Sequence, residues 1–445
     1  MASSADIAFP GETPIEDHGG YPPLKRAIYA LVLLIFVYLL YFADAQLISL
    51  LVTPIEQAYG INDTRFSLLS AAPTIIAILV MGLPMASLVD RWNRRNLLAA
   101  ALIFWTIMNV LCAFAPGFWI LFALKVGVAI GGVWYYPTVV SMLSDLFPPK
   151  HRTLAFTALH LCGTSGIGLA VLFSGGAVAL SHRLADTGST IPWWQWSFIL
   201  VSVPAPIGAI LLFTIKEPIR HLTTAAQREP VKLLTFLKRN WGVCAAVILG
   251  TSIAGIPIYA ARSWLPEYFV RAFDQQPTEA STLTGLILTF STAIGIGLGG
   301  LAAVWLRRRG QENASLAVVI TSYITPVALF ALLPVMHGPQ SAALLFGTAF
   351  FLFNLHGGPQ IEIIQGVVPN EIRGRFVTLV LMFSVFGIFL GPVIVGLLND
   401  HVFHGRQGII YSLTITTAVA SILAACCWSY RTRSTLALLR GELHA

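Results

Sequence analysis

Asp44 and Lys125 are the residues from which a chemistry can first be argued. Each stands alone inside a long apolar run, Asp44 in the first and Lys125 in the fourth. A lone carboxylate in such surroundings is very unfavourable, so it is protonated or paired. Lys125, the only lysine within an apolar run, is the natural partner. Proton uptake at Asp44 would weaken the pair and free Lys125 for an anionic substrate group; the plainer alternative is a fixed structural ion pair. Glu362, in the tenth run, offers a second proton-coupling carboxylate, or ordinary polar lining of a watery vestibule. His356 in the same run is a candidate polar contact to substrate, although a hydrogen-bonded packing role suits a lone histidine better. Tyr41, Trp134, Tyr135 and Tyr136 cluster on the first and fourth runs and could wall a pocket for an amphipathic or aromatic ligand. Asp400, His401 and His404 are loosely spaced like metal ligands but lack a fourth partner, so no metal is expected, and no cofactor.

The elements that must position these residues are membrane helices. The chain has 445 residues, 56% hydrophobic and only 11% charged, whereas a soluble protein carries about a quarter charged residues. Twelve apolar runs of spanning length lie between Ala27 and Tyr430. The seventh reads as Trp241–Ala261, ending where Arg262 begins an outer segment. With the N-terminus inside, 21 of the 27 Lys and Arg fall in inner segments, five in outer ones (Arg262 and Arg271 among them) and Lys125 in a helix. That asymmetry places both termini in the cytoplasm. It also accounts for the formal charge of +7 without a nucleic-acid partner.

A helix–basic turn–helix unit occurs twice, as "MASLVDRWNRR" (85–95) and "GGLAAVWLRRR" (299–309). The following turns, "FPPKHR" (147–152) and "VPNEIR" (368–373), repeat at nearly the same offset. Two parallel six-helix repeats joined by a long basic loop describe a transporter architecture with its site between the halves. The expected organisation is a disordered tail over 1–26, a bundle over 27–215, a loop over 216–240, a second bundle over 241–430 and a tail over 431–445. The fold class is thus all-α, with twelve transmembrane helices in two pseudo-symmetric bundles. No phosphate loop or nucleophile elbow is present in the sequence, so an enzyme is not expected.

With "LVDRWNRR" and "FPPKHR", the chain resembles the major facilitator superfamily. Asp44 followed by "LLVTPIEQAYGINDTRFSLL", "PTVVSMLSDLFPPKHR", "GGPQIEIIQGVVPNEIRGR" and "GPVIVGLLNDHVF" make it similar to the spinster-like branch. The resemblance implies a rocker-switch transporter, and that branch is associated with lysophospholipids and phosphorylated sphingoid bases. It also implies a polar site of Asp–Arg on the first helix and Arg with Glu seven residues on in the fourth. Here Asp44 matches the Asp, Ala45 replaces the first Arg, Lys125 the second and Gly132 the Glu. In this family Asp90, Arg91 and Arg94 form a gate rather than a binding site, with Arg152 as a partner. Val304 and Trp305 replace the corresponding pair in the second half.

The expected function is secondary active transport of an amphipathic or anionic organic solute, lysophospholipid-like, by alternating access, with proton coupling through Asp44. The alternatives are a proton-coupled symporter of a small hydrophilic anion such as a sugar acid, and a non-transporting regulatory relative. The missing Arg after Asp44 argues against the sugar-acid reading, since Arg suits carboxylates better than Lys. Expected partners are the solute, protons and the lipid bilayer, in a monomer of a bacterial inner membrane.

Overall fold

The computed structural model describes residues 21–218, 233–369, 372–430 and 432–439. Twelve helices in it are long and apolar enough to cross a membrane. They are α1 (Leu24–Leu50), α2 (Asp63–Arg91), α3 (Arg94–Cys112), α4 (Phe118–Leu146), α5 (Pro149–Asp186) and α6 (Trp193–Leu212) in the first half. The second half holds α7 (Trp241–Phe273), α8 (Pro277–Arg308), α9 (Ala314–Val335), α10 (Pro339–Gly366), α11 (Arg373–His401) and α12 (Gly408–Ser429). Among the described residues there is no strand. In hydrocarbon each helix satisfies its own backbone groups, so this is the fold the composition demands. Twelve crossings bring the start of α1 and the end of α12 to one face, called here the terminal face; the other is the distal face.

Local chemistry sets the breaks. Pro137 lacks an N–H, and α4 is interrupted just before it, at Trp134. A short helix, Val52–Tyr59, follows α1 and stops at Gly60, whose φ of 61° is open to glycine at little cost. Asn62 then caps α2 by accepting from the backbone N–H of Arg65 at 3.1 Å. On α7 the sequence reading fails. The helix runs on through Arg262 to Phe273, three turns past Ala261. Arg262 therefore lies inside a membrane helix and not in an outer segment.

The halves meet along α2 against α11 and α5 against α8. Glycines make the second seam close: a Cβ on Gly175 would strike Ser281, and one on Gly285 would strike Leu172. These contacts lie toward the distal face. Leu161 and Leu154 sit one and two heptads from Gly168 on the same side of α5, yet are 52% and 71% exposed. Leu381, one heptad before Ile388 on α11, is 62% exposed. The seams thus part toward the terminal face, and the molecule is closed at the distal end.

Candidate functional site

A cavity of about 210 Å³ lies between the halves. From the first half it takes Tyr41, Phe42, Ala45 and Gln46 of α1 and Phe66, Ser70 and Thr74 of α2. From the second it takes Tyr259, Arg262, Ser263 and Trp264 of α7 and Ile388 and Pro392 of α11. Its floor toward the distal face is held by Ser67 Oγ, which donates to the Pro392 carbonyl at 2.9 Å, and by the Trp264 indole N–H, which donates to the same carbonyl at 3.1 Å. The two donors come from opposite halves, so this one carbonyl of α11 joins α2 and α7.

Arg262 is the cation of this cavity. Its guanidinium lies 5.3 Å from the centre of the Tyr259 ring, a cation–π contact three residues back along α7. Its Nε is enclosed and has no hydrogen-bond partner, and among the described residues no carboxylate pairs with it. An arginine fork that faces a cavity, backed by an aromatic ring and unmatched in charge, is a receptor for a carboxylate or phosphate. Sequence reasoning missed it. The available signal was that Tyr259 and Arg262 share a helix face if the seventh run is allowed to continue.

Asp44 and Lys125 do meet. Lys125 Nζ donates to Asp44 Oδ1 at 3.0 Å and Oδ2 at 2.9 Å, and lies 5.7 Å from the Phe198 ring centre. The pair is sealed in the first bundle, Asp44 3% and Lys125 7% exposed. Neither residue lines the cavity, whose wall at that level is Tyr41, Phe42 and Ala45. Tyr41 serves two purposes. It faces the cavity, and its ring fills the space a side chain at Gly132 would need. The departure from Glu at that position therefore leaves no hole.

The other residues singled out in the sequence fall elsewhere. Tyr135 is buried, stacked on Tyr38 at 4.8 Å with its hydroxyl on the Leu34 carbonyl, so it packs α4 on α1. Tyr136 is exposed at 6.3 Å from the Tyr38 ring, and half-buried Trp134 occupies the α4 break. His356 takes a packing role: its Nδ1 contacts the Phe353 carbonyl and its ring leans on Tyr323, and it does not line the cavity. Glu362 does not line the cavity either. It pairs with Arg307 and accepts from Ser315 Oγ at 2.9 Å, joining α8, α9 and α10 at the terminal face.

Among the gate residues, Arg94 is a hub of the first bundle. Its Nη1 lies 2.5 Å from Asp145 and its Nε 2.8 Å from Glu217, while Nη2 donates to the Pro218 carbonyl at 3.0 Å. It ties α3, α4 and the end of α6 and reaches no second-half residue through these bonds. Arg152 donates to the Phe147 carbonyl and the Tyr21 hydroxyl, both at 3.3 Å. Arg91 is exposed, and the Asp90 side chain lies outside the described residues.

The latch that is closed lies at the distal face and was not foreseen. Arg271 of α7 binds Asp63 through Nη1 at 2.7 Å and Nη2 at 2.8 Å, Glu267 through Nε at 2.6 Å and Glu56 through Nη2 at 3.1 Å. Asp400 accepts from the backbone N–H groups of Asp63 (3.3 Å) and Thr64 (2.8 Å) at the start of α2, where helix-end amides favour a carboxylate. Asn399 donates to Asp63 at 2.7 Å, and Thr53 to Glu267 at 2.8 Å.

The family model described as Major Facilitator Superfamily matches residues 34–392. The chain belongs to the major facilitator superfamily. Members of this superfamily are transporters, so this protein is a membrane transporter and not an enzyme. An "MFS-type efflux pump" of Mycolicibacterium smegmatis is 23% identical over 93% of this chain and 94% of its own length. A "Probable L-galactonate transporter" of Escherichia coli is 22% identical over 94% and 93%. Among solved structures, a bacterial homolog of the human lysosomal transporter spinster, inward-facing and unoccupied, superposes with a TM-score of 0.78 at 21% identity. That match covers 94% of this chain and 99% of the other, and it shows the same two-bundle facilitator fold.

Proposed function

We propose that this facilitator is a secondary active transporter that carries an organic anion between the two faces by alternating access, with Arg262 as the anchor for the anion. The observation that carries this reading is the unpaired guanidinium of Arg262 in a cavity shared by both halves. It also removes the objection to a small carboxylate, because the Arg absent after Asp44 has a counterpart on α7. Ser70, Thr74, Gln46 and Ser263 supply hydroxyl and amide groups, and Tyr41, Phe66 and Trp264 supply aromatic walls. A polyhydroxy acid or a hydroxybenzoate matches that mixture. A lysophospholipid is the second reading: its phosphate would take the same arginine and its chain the opening between α5 and α8.

Asp44 and Lys125 are assigned the coupling step. A proton on Asp44 would release Lys125, and the loss of a buried ion pair behind Tyr41 would be felt at the cavity wall. The terminal face is assigned to the cytoplasm on the distribution of Lys and Arg. The bundles are assigned to 27–215 and 241–430, in a monomer of a bacterial inner membrane.

Uptake into proteoliposomes of labelled galactonate, a hydroxybenzoate and a lysophospholipid, with and without a pH gradient, tests the reading. The expected result is carboxylate uptake that falls at least tenfold in Arg262→Ala and is partly restored in Arg262→Lys. Gradient stimulation should fall in Asp44→Asn. Lysophospholipid uptake with none of the acids would favour the second reading. Uptake indifferent to Arg262→Ala would overturn the anchor.

A further inference from the structure

We propose that Glu56 is a second proton-binding site, separate from Asp44, and that closing the distal latch takes up one proton there. The proposal rests on the alternating-access reading above. Its basis is a count of charges across the seam. Arg271 is in contact with three carboxylates, Glu56 and Asp63 from the first half and Glu267 from its own helix. Each of its three nitrogens is already engaged.

The three acids are not equally served. Asp63 receives two short bonds from Arg271 and one from Asn399, and Glu267 receives Arg271 and Thr53. Glu56 has only the longest of the arginine contacts, and its Oε1 is enclosed with no hydrogen-bond donor among the described residues. An enclosed carboxylate oxygen with nothing to accept is costly unless it carries a proton. The protonated oxygen can then donate to the neighbouring Asp63 carboxylate. The remaining charged groups of the same cleft do not relieve it. Asp400 adds a fourth negative group, and Arg406 pairs with exposed Asp274 at 2.6 Å.

The direction of coupling follows from the two states. In the closed latch, burial and the adjoining Asp63 push the Glu56 carboxyl up to about 10. When the halves part, Arg271 and Glu267 leave with α7, and Glu56 faces water with an ordinary value of about 4.3. A group whose value is raised in the closed state stabilises that state fully below the open-state value. The stabilisation is lost as pH rises toward the closed-state value. Between them, the closed-to-open ratio falls up to tenfold per pH unit. Acid on the distal side therefore drives the latch shut and presents the cavity to the terminal face.

Spin labels at Arg65→Cys and His404→Cys, with the accessible Cys162, Cys426 and Cys427 replaced by alanine, report the distance across the latch. Pulsed electron resonance on the full-length protein in liposomes, from pH 5 to pH 9, is expected to show a single short distance at acid pH. A longer one should grow with increasing pH. Glu56→Gln, neutral at every pH, should hold the short distance throughout, and Glu56→Asp should keep the pH response with a shifted midpoint. Infrared spectra should show a protonated-carboxyl stretch in the wild-type protein at pH 7 that Glu56→Gln lacks. A pH response that survives unchanged in Glu56→Gln would overturn the assignment. So would a flat wild-type profile in which substrate alone produces the second distance. A single distance under every condition, substrate included, would instead sink alternating access itself.

Discussion

Asp44 and Lys125 form a closed unit that no other described charge shares. Removing one partner leaves the other buried and uncompensated, which costs about 3–5 kcal/mol, whereas replacing both can be nearly neutral. We expect Asp44→Asn and Lys125→Met each to lower stability in detergent by that order, and the double variant to recover most of it. Denaturation midpoints of the four proteins check this; a double variant as unstable as either single one would mean that the pair is not what each residue is held for. Arg262 behaves in the opposite way. Among the described residues it has no carboxylate partner to lose, only the Tyr259 ring, so Arg262→Ala should cost transport and little stability. The sequence alone did not show which of these two cations a carboxylate meets. The difference is that one finds a carboxylate across a helix seam and the other faces a cavity.

At the scale of elements, the distal end closes because glycines let α5 and α8 touch. A side chain on Gly168 would collide with Thr289 and the Gly285 carbonyl, whereas one on Gly176 meets nothing within 4 Å. Gly168→Val should therefore slow transport at least tenfold with normal expression, and Gly176→Val should leave it near wild type. Rate measurements in proteoliposomes on the pair separate seam packing from general helix stability. The glycine-rich helices were legible in the sequence, but which glycine meets the other half depends on rotation about the helix axis. The early stop assigned to α7 has a similar cause. Arg262, Glu267 and Arg271 look like a loop by composition, yet each charge finds an aromatic or ionic partner that lets the helix continue.

At the scale of the molecule, a seam joined by Asp63, Asp400 and Arg271 at one end and parted at Leu154 and Leu381 at the other defines one state of a two-state machine. With the terminal face in the cytoplasm, Leu381→Cys, with Cys162, Cys426 and Cys427 replaced by alanine, should react with a membrane-impermeant maleimide in inverted vesicles and stay unlabelled in intact cells. Labelling from outside would overturn the assigned orientation.

By itself the sequence determined the class of fold, twelve crossings in two repeated halves, because length, hydropathy and repeated turns are local properties that hydrocarbon enforces on any chain carrying them. It also determined the buried pair, since a lone acid and a lone base in apolar helices have few places to go. Tertiary structure alone decided which end is shut, that Arg262 faces the cavity, that Glu362 and His356 do not, and that Glu56 shares one arginine with two other acids. Each of those depends on where two distant segments meet, and the energy of a charge is set by what is brought against it.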